Sequence, residues 1–291
     1  MIITRLKGGM GNQMFQYAMA LNVAERLGTE LQIDLCSLLD RSKGDFVYRN
    51  YDLSIFEVDN KFVMNPNLLK SLSKLKSAGV TKLIRNHINK GRKYIKEADF
   101  HFQPEYINQA IDNTIYEGWF QSHRYFEGIE DLLRKKFSFK GEILPKSQSL
   151  LKKIKSTNSI CLNVRRTDFL KVDNLNTTDL SYFLKAASEM IKQVKQPEFF
   201  IFSDDVEWCE KNIKLEKPVH IVDHKHKGEK FGNYMQLMIA CKHYIIPNSS
   251  FAWWSVWLNS SPEKIVIAPK NWFNNPEIDT TDLIFQKWIL L

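Results

Sequence analysis

The second half of the chain alternates short apolar segments with amphipathic ones, and this order limits the possible folds more than any other feature. Short apolar runs predict strands, and apolar residues at helical spacing predict the helices between them. The predicted strands are SICLNV, EFFIFS, PVHIVD, HYIIP and KIVIAP. Strands that alternate with helices form a parallel sheet, so we predict a Rossmann-like domain with five strands.

The first half opens on a unit of the same kind. MIITRL predicts a strand, residues 14–27 predict an amphipathic helix that Gly28 ends, and ELQIDL (30–35) predicts the next strand. Further along, residues 66–96 predict basic helices and TIYEGWF (114–120) predicts another strand. The first half is therefore a second parallel α/β domain.

A polar stretch, residues 140–157, separates the two halves. We place the domains at 1–148 and 149–291, with the last residues as a candidate for packing back on the first domain. Parallel α/β sheets bind ligands at the carboxyl ends of their strands, so a ligand cleft between the halves is expected there. The residues that follow each strand are thus the candidates for function.

The cysteine pattern and the N-terminus indicate a cytoplasmic protein. The four cysteines are scattered and form no CxxC pair, which predicts buried free thiols rather than disulfides or a zinc site. No apolar run reaches the roughly 18 residues of a membrane span, and the N-terminus lacks a signal-peptide layout. A reduced, cytoplasmic location follows.

The net charge of +8 is concentrated in one segment. Between Asn60 and Lys96 there are ten Lys or Arg residues and no Asp or Glu, and the remaining 31 basic residues face 33 acidic ones. A solvated helical face, an anionic substrate and peripheral contact with the inner face of a membrane all remain open. Few aromatic residues interleave the basic ones, so a nucleic-acid partner is not expected.

A glycine-rich loop, KGGMGNQ, follows the first strand. It lacks the GK[ST] of a Walker loop and the third glycine of a dinucleotide fingerprint. Gly9 and Gly11 allow close approach of a ligand, while the Asn12 and Gln13 amides suit sugar hydroxyls or phosphate. The alternative is that Asn12 caps the helix after a tight corner.

Three further strand ends carry polar groups. Two adjacent arginines follow SICLNV, and placing their positive charges side by side costs free energy unless an anion binds there. One of them could instead pair with Asp168. Because strand side chains alternate, only one arginine is expected to face the ligand. Carboxylates in FSDD can accept from a guanine or ribose, or one can cap the next helix. The turn in PNSSF offers hydroxyls and helix N–H groups to a phosphate.

Metal and covalent chemistry have little support in the sequence. No DxD motif occurs, which disfavours metal–diphosphate chemistry. The histidines of HIVDHKH have loose metal-like spacing, but one lies within a predicted strand and the tract is flanked by lysines. No GxSxG or Cys/His arrangement indicates a covalent nucleophile.

Six segments together resemble the bacterial α-1,2-fucosyltransferases. They are GGMGNQMFQYA, YDLSIF, YEGWFQSHRYF, NVRRTDF, FSDD and NSSFAWWSVWLN, in the family's order over nearly the whole chain. The resemblance implies a GT-B fold, in which two Rossmann-like domains face each other across a cleft. It also implies GDP-β-L-fucose as donor, a β-galactoside oligosaccharide as acceptor, inversion to an α-1,2 linkage, a role in surface glycan biosynthesis, and no required metal or cofactor.

The resemblance also assigns donor-binding roles. The first motif arginine, Arg165, would meet the diphosphate, one of the FSDD carboxylates would read the guanosine, and Asn12 would lie near the fucose. The implied donor-binding residues are Gly9, Gly11, Asn12, Gln13, Asn163, Arg165, Arg166, Asp168, Ser203, Asp204, Asp205, Asn248, Ser249, Ser250 and Phe251.

The sequence departs from the family at one position. Asn163 stands where the family usually has histidine, and asparagine cannot accept a proton near neutral pH. We therefore look for the base on the acceptor side, in Asp34 at the end of the second strand or Glu117 in YEGWFQ. A strongly dissociative path, in which leaving-group stabilisation by Arg165 dominates, is the alternative.

Two other functions remain open. The chain could be another GT-B nucleotide-sugar transferase, or a non-catalytic nucleotide- or polyanion-binding protein that uses residues 60–96 as its main surface. The convergence of paired arginines with a serine turn argues against the second. The natural acceptor and the oligomeric state are not fixed by the sequence.

Overall fold

Two parallel sheets form the framework of the protein. The computed structural model describes residues 1–41, 48–167, 169–175 and 177–291. The chain divides into two compact units, which are Met1–Lys140 with Asp279–Leu283 (unit 1) and Gly141–Ile278 with Ile284–Leu291 (unit 2). Every strand pairing within the described residues is parallel, and helices connect the strands. The predicted α/β class is confirmed.

Unit 1 has a four-stranded sheet of order β2-β1-β4-β3 within the described residues. Its elements are β1 (Ile2–Arg5), α1 (Met10–Leu27), β2 (Leu31–Asp34), α2 (Pro66–Ser73), α3 (Ala78–Asn89), β3 (Lys93–Lys96), α4 (Glu105–Asn108), β4 (Thr114–Glu117) and α5 (Glu130–Lys136). Strand β1 is buried throughout, and β2 and β4 on either side of it each have three buried residues of four, so these three strands form the core of the sheet.

Helix α1 differs from the predicted amphipathic helix in two ways. It starts at Met10 rather than at residue 14, and 14 of its 18 residues are buried. A helix that is covered nearly all round lies within the core instead of against it. Its predicted end is confirmed, because Gly28 has a left-handed backbone and its N–H bonds to the carbonyls of the last turn.

The basic segment is only partly helical. Helices α2 and α3 are present, but the prediction of helix through to residue 96 is wrong because β3 occupies Lys93–Lys96. This strand lies at the sheet edge, and three of its four residues are exposed. Lysines are common on edge strands because they block pairing with other chains, and they also hide the apolar pattern that identifies a strand.

Unit 2 has a six-stranded sheet of order β10-β9-β8-β5-β6-β7 within the described residues. Its elements are α6 (Gln148–Ser156), β5 (Asn158–Val164), α7 (Leu180–Gln193), β6 (Pro197–Ser203), α8 (Val206–Asn212), β7 (Val219–Val222), α9 (Gly232–Ile239), β8 (His243–Ile245), α10 (Ser250–Leu258), β9 (Val266–Ala268) and β10 (Ile289–Leu290). The five predicted strands are present. The prediction missed β10, whose two residues are too few to show a period.

A short segment near the end of the chain belongs to unit 1. The Asp282 carboxylate accepts hydrogen bonds from the Phe102 N–H at 2.8 Å and from Arg124 Nη1 at 3.1 Å. The chain then returns to unit 2, where Ile289 of β10 pairs with β9. Unit 1 is thus completed by residues far away in sequence.

The cysteines match the prediction made from their spacing. All four are free and buried. Within the described parts of the chain, no helix has both the length and the apolar character needed to cross a bilayer.

Candidate active site

The glycine loop lies at the carboxyl end of β1 in unit 1. Gly8 has a φ of +77°, and a Cβ at this position would lie 2.6 Å from Asn12 Nδ2. Glycine is required because other residues are strained in this conformation and would collide with Asn12. Gly9 precedes α1 with an extended backbone and no side-chain cap, and Gly11 is buried in the first turn. The loop therefore brings the backbone tightly against the start of the helix.

Asn12 lies inside the first turn of α1. The helix begins at Met10, so the alternative in which Asn12 caps it is wrong. Asn12 Oδ1 accepts a hydrogen bond from Gln121 Nε2 at 2.6 Å, and Gln121 lies just after β4. The partly exposed Asn12 thus forms a polar pair at the strand-end edge of the sheet.

Gln13 is fully buried and does not join that edge. Its Nε2 donates to the carbonyls of Gly8 at 2.9 Å and Asn50 at 2.8 Å, and its Oε1 accepts from the Asp52 N–H at 2.9 Å. These bonds join the glycine loop to the segment that starts at Asn50. Gln13 therefore holds the loop in place, and its amide is not directed to a ligand.

Glu97, which the sequence analysis missed, lies directly after β3. Its carboxylate accepts hydrogen bonds from the backbone N–H groups of Trp119 and Phe120, the latter at 2.8 Å. A Cβ at Gly118 would lie 2.5 Å from the Glu97 Cβ, so glycine makes room for this side chain. Glu97 was missed because β3 was read as the end of a helix, which hid the strand end that precedes it.

Lys7 lies in the same group of residues. Its Nζ is 4.2 Å from the centre of the Trp119 ring. Burial lowers the pKa of Lys7, and the charges of Glu117 and Glu97 oppose that change. Burial also raises the pKa of Glu97, while hydrogen bonds from Trp119 and Phe120 offset part of the increase. A carboxyl group with a raised pKa beside a lysine with a lowered one is a pattern typical of proton-transfer sites.

The two predicted base candidates instead surround a buried arginine. Arg5 is 1% exposed, and its guanidinium donates to Asp34 at 2.6 Å, Glu117 at 3.0 Å and Asn89 at 2.8 Å. Burial is the largest single influence and lowers the pKa of Arg5, but the interactions with Asp34, Cys36 and Glu117 together outweigh it and raise that pKa. The four side chains form a closed, hydrogen-bonded network at the edge of the sheet.

This network corrects the proposed role of Asp34. Asp34 is 1% exposed and also accepts a hydrogen bond from the Cys36 N–H, so it is a structural counter-ion that no acceptor sugar can reach. Burial favours a raised pKa for Glu117, but hydrogen bonds from Arg5 and Tyr94 prevail and lower it. A lowered pKa makes Glu117 a poor base, because the best general bases have a pKa near the working pH.

Replacing Arg5 by methionine is expected to lower the free energy of unfolding of unit 1 by about 3–5 kcal/mol, because Asp34 is left as a buried charge without its partner. Denaturant unfolding followed by circular dichroism measures the change. The control is Arg5→Met combined with Asp34→Asn, which should recover part of the loss because the buried charge is gone. A loss below about 1 kcal/mol for Arg5→Met alone would contradict the network's structural role.

In unit 2, the adjacent arginines lie at the carboxyl end of the central strand β5. The strand ends at Val164, so Arg165 and Arg166 lie in the following loop and the strand alternation expected for them does not apply. Arg165 Nη1 is 3.2 Å from Asp204 Oδ2, and Arg166 Nε is 3.4 Å from Asp205 Oδ2. These ion pairs bring together the double-arginine motif and the FSDD motif, which are far apart in sequence. Residues 141–291 contain no other arginine.

Each member of the acidic pair holds one part of the arginine loop. Asp204 also accepts from the backbone N–H groups of Arg166 at 3.0 Å and Thr167 at 3.1 Å. Asp205 accepts from the Trp208 N–H at 3.2 Å and so caps α8, which confirms that one carboxylate caps the following helix. The pair therefore fixes the positions of the guanidinium groups, and no guanosine role follows from its geometry.

Further contacts restrain the same loop. The Arg166 guanidinium lies 3.8 Å from the centre of the Trp208 ring. Ser203 is buried, and its Oγ accepts from the Asp205 N–H at 2.9 Å. Asn163 is also buried and donates to the Phe202 carbonyl at 3.1 Å. Asp168, the last member of the predicted arginine motif, lies outside the described residues.

The serine turn starts α10 at the end of β8. Ser249 caps the helix by accepting from the Ala252 N–H, and the partly exposed Ser250 and Phe251 form the first turn. Asn248 is 3% exposed and donates to the Leu175 and Trp272 carbonyls, each at 2.9 Å. Among the described residues, none donates a hydrogen bond to its Oδ1. A buried acceptor without a donor is costly, so a bound group or water that donates to it would stabilise this turn.

The histidine tract does not form a metal cluster. His220 pairs with Glu198 at 2.8 Å, His224 with the Ser203 carbonyl at 3.0 Å, and His226 with the Ser147 hydroxyl at 2.8 Å. In the part of the chain that the structure describes, no group of three His, Cys, Asp or Glu residues is arranged to hold a metal ion.

Two units, each with a parallel α/β sheet and polar groups at its strand ends, are the architecture of GT-B glycosyltransferases. The chain matches the model of glycosyl transferase family 11 over residues 1–291, and it belongs to that family. The predicted membership and fold class are thereby confirmed.

Relatives in sequence and structure agree with this assignment. An alpha-1,2-colitosyltransferase of Escherichia coli is 31% identical over 99% of this chain and 98% of its own. The O-antigen biosynthesis glycosyltransferase WbnK of the same organism is 29% identical over 98% of this chain and 99% of its own. NodZ from Bradyrhizobium, an alpha-1,6-fucosyltransferase crystallised with GDP, has a similar fold with a TM-score of 0.51 and 17% identity, covering 88% of this chain and 91% of its own.

Proposed function

We propose that this chain transfers L-fucose from GDP-β-L-fucose to the 2-hydroxyl of a terminal β-galactoside, with inversion to an α-1,2 linkage. The observation that carries the proposal is the Arg165–Arg166 pair, which Asp204 and Asp205 hold at the end of β5 in a family 11 chain. A planar guanidinium offers paired N–H donors that match diphosphate oxygens. The α-1,2 linkage is supported by the motif resemblance and by the colitosyltransferase relative.

The donor diphosphate would bind at the strand-end edge of unit 2. Arg165 would donate to its oxygens, and the N-terminal turn of α10 at Ser249 and Ser250 would add N–H donors and a favourable helix dipole. These groups would stabilise the charge that develops on the leaving diphosphate.

The proposed reaction is a single displacement at the anomeric carbon. The galactose 2-hydroxyl oxygen bonds to fucose C1, and the bond from C1 to the β-phosphate oxygen breaks with its electron pair, which releases GDP. The hydroxyl proton passes to a base. Attack from the side opposite GDP converts the β-linked donor into an α-linked product.

We propose Glu97 as that base, in place of Asp34 and Glu117. It lies at the strand-end edge of unit 1 beside Lys7, and its raised pKa brings it nearer to neutral pH. Asn12 and Gln121, which pair at the same edge, offer hydrogen bonds to a sugar.

Colitose is a second candidate for the transferred sugar. The colitosyltransferase relative favours it, and colitose differs from fucose by the absence of the 3-hydroxyl. Initial rates with GDP-fucose, GDP-colitose, GDP-mannose and UDP-sugars, on a panel of terminal β-galactosides, separate the two. Fucose linked α-1,2 to galactose is the expected product. Turnover with UDP-sugars alone, or GDP-fucose binding without turnover, would overturn the proposal.

We expect transfer to continue without divalent cations, because Arg165 and the α10 turn supply the positive charge at the diphosphate. Initial rates should remain within about twofold of the untreated enzyme after treatment with EDTA, which is under 1 kcal/mol in barrier height. Restoring Mg²⁺ or Mn²⁺ is the control. Strict dependence on either ion would contradict this expectation.

A further inference from the structure

Helices α2 and α3 and the turn between them expose three large apolar side chains. Leu68 on α2 is 51% exposed, Leu75 in the turn is 62% exposed, and Leu83 on α3 is 69% exposed. Single exposed leucines are ordinary on a protein surface, but three within 16 residues form an unusual cluster in sequence. We call this segment, residues 66–89, the α2–α3 surface.

The exposed leucines belong to helices that already bury another side. Leu69 on α2 is 3% exposed and Ile88 on α3 is 1% exposed, and Ile88 packs in a core cluster with Ile3 and Ile115. Both helices are thus anchored to unit 1. Leu68 and Leu83 leave much of their side chains in solvent on these same helices.

Lysines accompany the leucines. Lys70, Lys74, Lys76 and Lys82 are exposed, and none of them appears in an ion pair among the described residues. Residues 60–96 contain no Asp or Glu that could neutralise them. Outside that range, the Asp40 carboxylate accepts a hydrogen bond from Thr81 Oγ1 on α3 at 3.2 Å. The four exposed lysines outnumber this one acid, so the α2–α3 surface combines apolar side chains with a net positive charge.

We propose that the α2–α3 surface binds the anionic face of a phospholipid bilayer. Leucines that enter the headgroup region and lysines that meet lipid phosphates are the two components of interfacial binding. A purely solvated basic face explains the lysines but leaves the leucines without a role. Residues 66–89 contain no Phe, Tyr or Trp on which bases could stack, so single-stranded nucleic acid fits the surface less well.

Cosedimentation of the full chain with vesicles tests the proposal. One set contains equal amounts of phosphatidylglycerol and phosphatidylcholine, and the other contains phosphatidylcholine alone. We expect binding to the anionic vesicles that weakens as salt is raised, because salt screens the lysine charges. Binding to neutral vesicles should be at least about a hundredfold weaker, since each of the four lysines near an anionic surface contributes about fivefold.

Two variants separate the components. Changing the four lysines to glutamine should lower partition to anionic vesicles by about a hundredfold or more. Changing Leu68, Leu75 and Leu83 to serine should remove the vesicle binding that remains at high salt, because burial of leucine side chains is not screened by salt. Two matched controls change exposed residues elsewhere. The charge control changes Lys152, Lys155, Lys185 and Lys195 to glutamine. The apolar control changes Leu27, Ile111 and Leu184 to serine.

The vesicle experiment can either support or overturn membrane binding by the α2–α3 surface. Loss of vesicle binding in the two α2–α3 variants, with binding retained in the controls and fucosyl transfer to a soluble acceptor unchanged, supports the proposal. Equal vesicle binding by all variants would overturn it, as would equal loss in the charge control. Binding to a single-stranded RNA oligonucleotide or to a polyglutamate peptide, without vesicle binding, would also overturn it.

Discussion

Replacing Arg165 by alanine is expected to lower kcat/KM for fucosyl transfer by about 10²–10³-fold, the usual effect of losing one preorganised donor from a charged transition state. Arg165 lies at the end of β5, and its guanidinium is held by Asp204 at 3.2 Å. Because Arg165 is already fixed, little reorganisation is needed when charge develops on the diphosphate. Arg165→Lys should also lose most of this effect, because an ammonium group cannot form two parallel N–H bonds.

Arg166→Ala is the matched control, since the two arginines are adjacent and have the same charge. The Arg166 guanidinium stacks on Trp208 and pairs with Asp205, so its removal should cost stability near α8 and reduce activity less than Arg165→Ala. Initial rates and calorimetric GDP affinity measure both effects. Near-normal turnover and unaltered GDP affinity in Arg165→Ala would refute its assignment to the diphosphate.

Replacing Glu97 by glutamine is expected to lower kcat by about 10²–10⁴-fold, the usual contribution of a positioned general base. Glutamine keeps one oxygen that can accept a hydrogen bond from Trp119 or Phe120, but its amide NH2 faces the other N–H donor, and it cannot take the proton of the acceptor hydroxyl. Loss of one of these two bonds should lower the free energy of unfolding by about 1–3 kcal/mol, which is a fall in thermal midpoint without loss of the fold. Initial rates at saturating donor and acceptor, with thermal unfolding of the same sample, separate a chemical effect from a folding defect.

The pH profile gives a second readout for Glu97. Its carboxylate must be ionised to act as base, so activity of the unmodified enzyme should rise with pH through the raised pKa of Glu97. Glu97→Gln should lack that acidic limb. Glu117→Gln is the control, because hydrogen bonds from Arg5 and Tyr94 lower the pKa of Glu117 and place its titration at more acidic pH. An unchanged acidic limb in Glu97→Gln would rule out this base.

Sequence patterns identified the buried strands and missed the exposed or short ones. Strands β5 and β6 are covered on both faces, so their residues form apolar runs that can be read directly. Strand β3 carries lysines at an edge, and β10 has two residues, so neither shows a hydrophobic period. Because β3 was not predicted, Glu97 was not recognised as a residue that follows a strand.

Long-range pairing also could not be read from the sequence. One of Asp204 and Asp205 was expected at the guanosine and one was a candidate helix cap, but their pairing with Arg165 and Arg166, about 39 positions away along the chain, was not predicted. Asp34 was considered as a base because it ends a strand, but the buried Arg5 beside it comes from a different strand. Position relative to a strand end predicts where polar side chains gather, whereas their partners depend on the register of neighbouring strands.

A cut between Lys140 and Gly141 would not yield two self-sufficient fragments. The first would lack Asp282, and with it the acceptor for the Phe102 N–H and the Arg124 side chain. The second would keep residues 279–283, but the groups that bond to Asp282 would be in the other fragment. Domain exchange with a relative or split expression must therefore transfer two pieces of polypeptide at once.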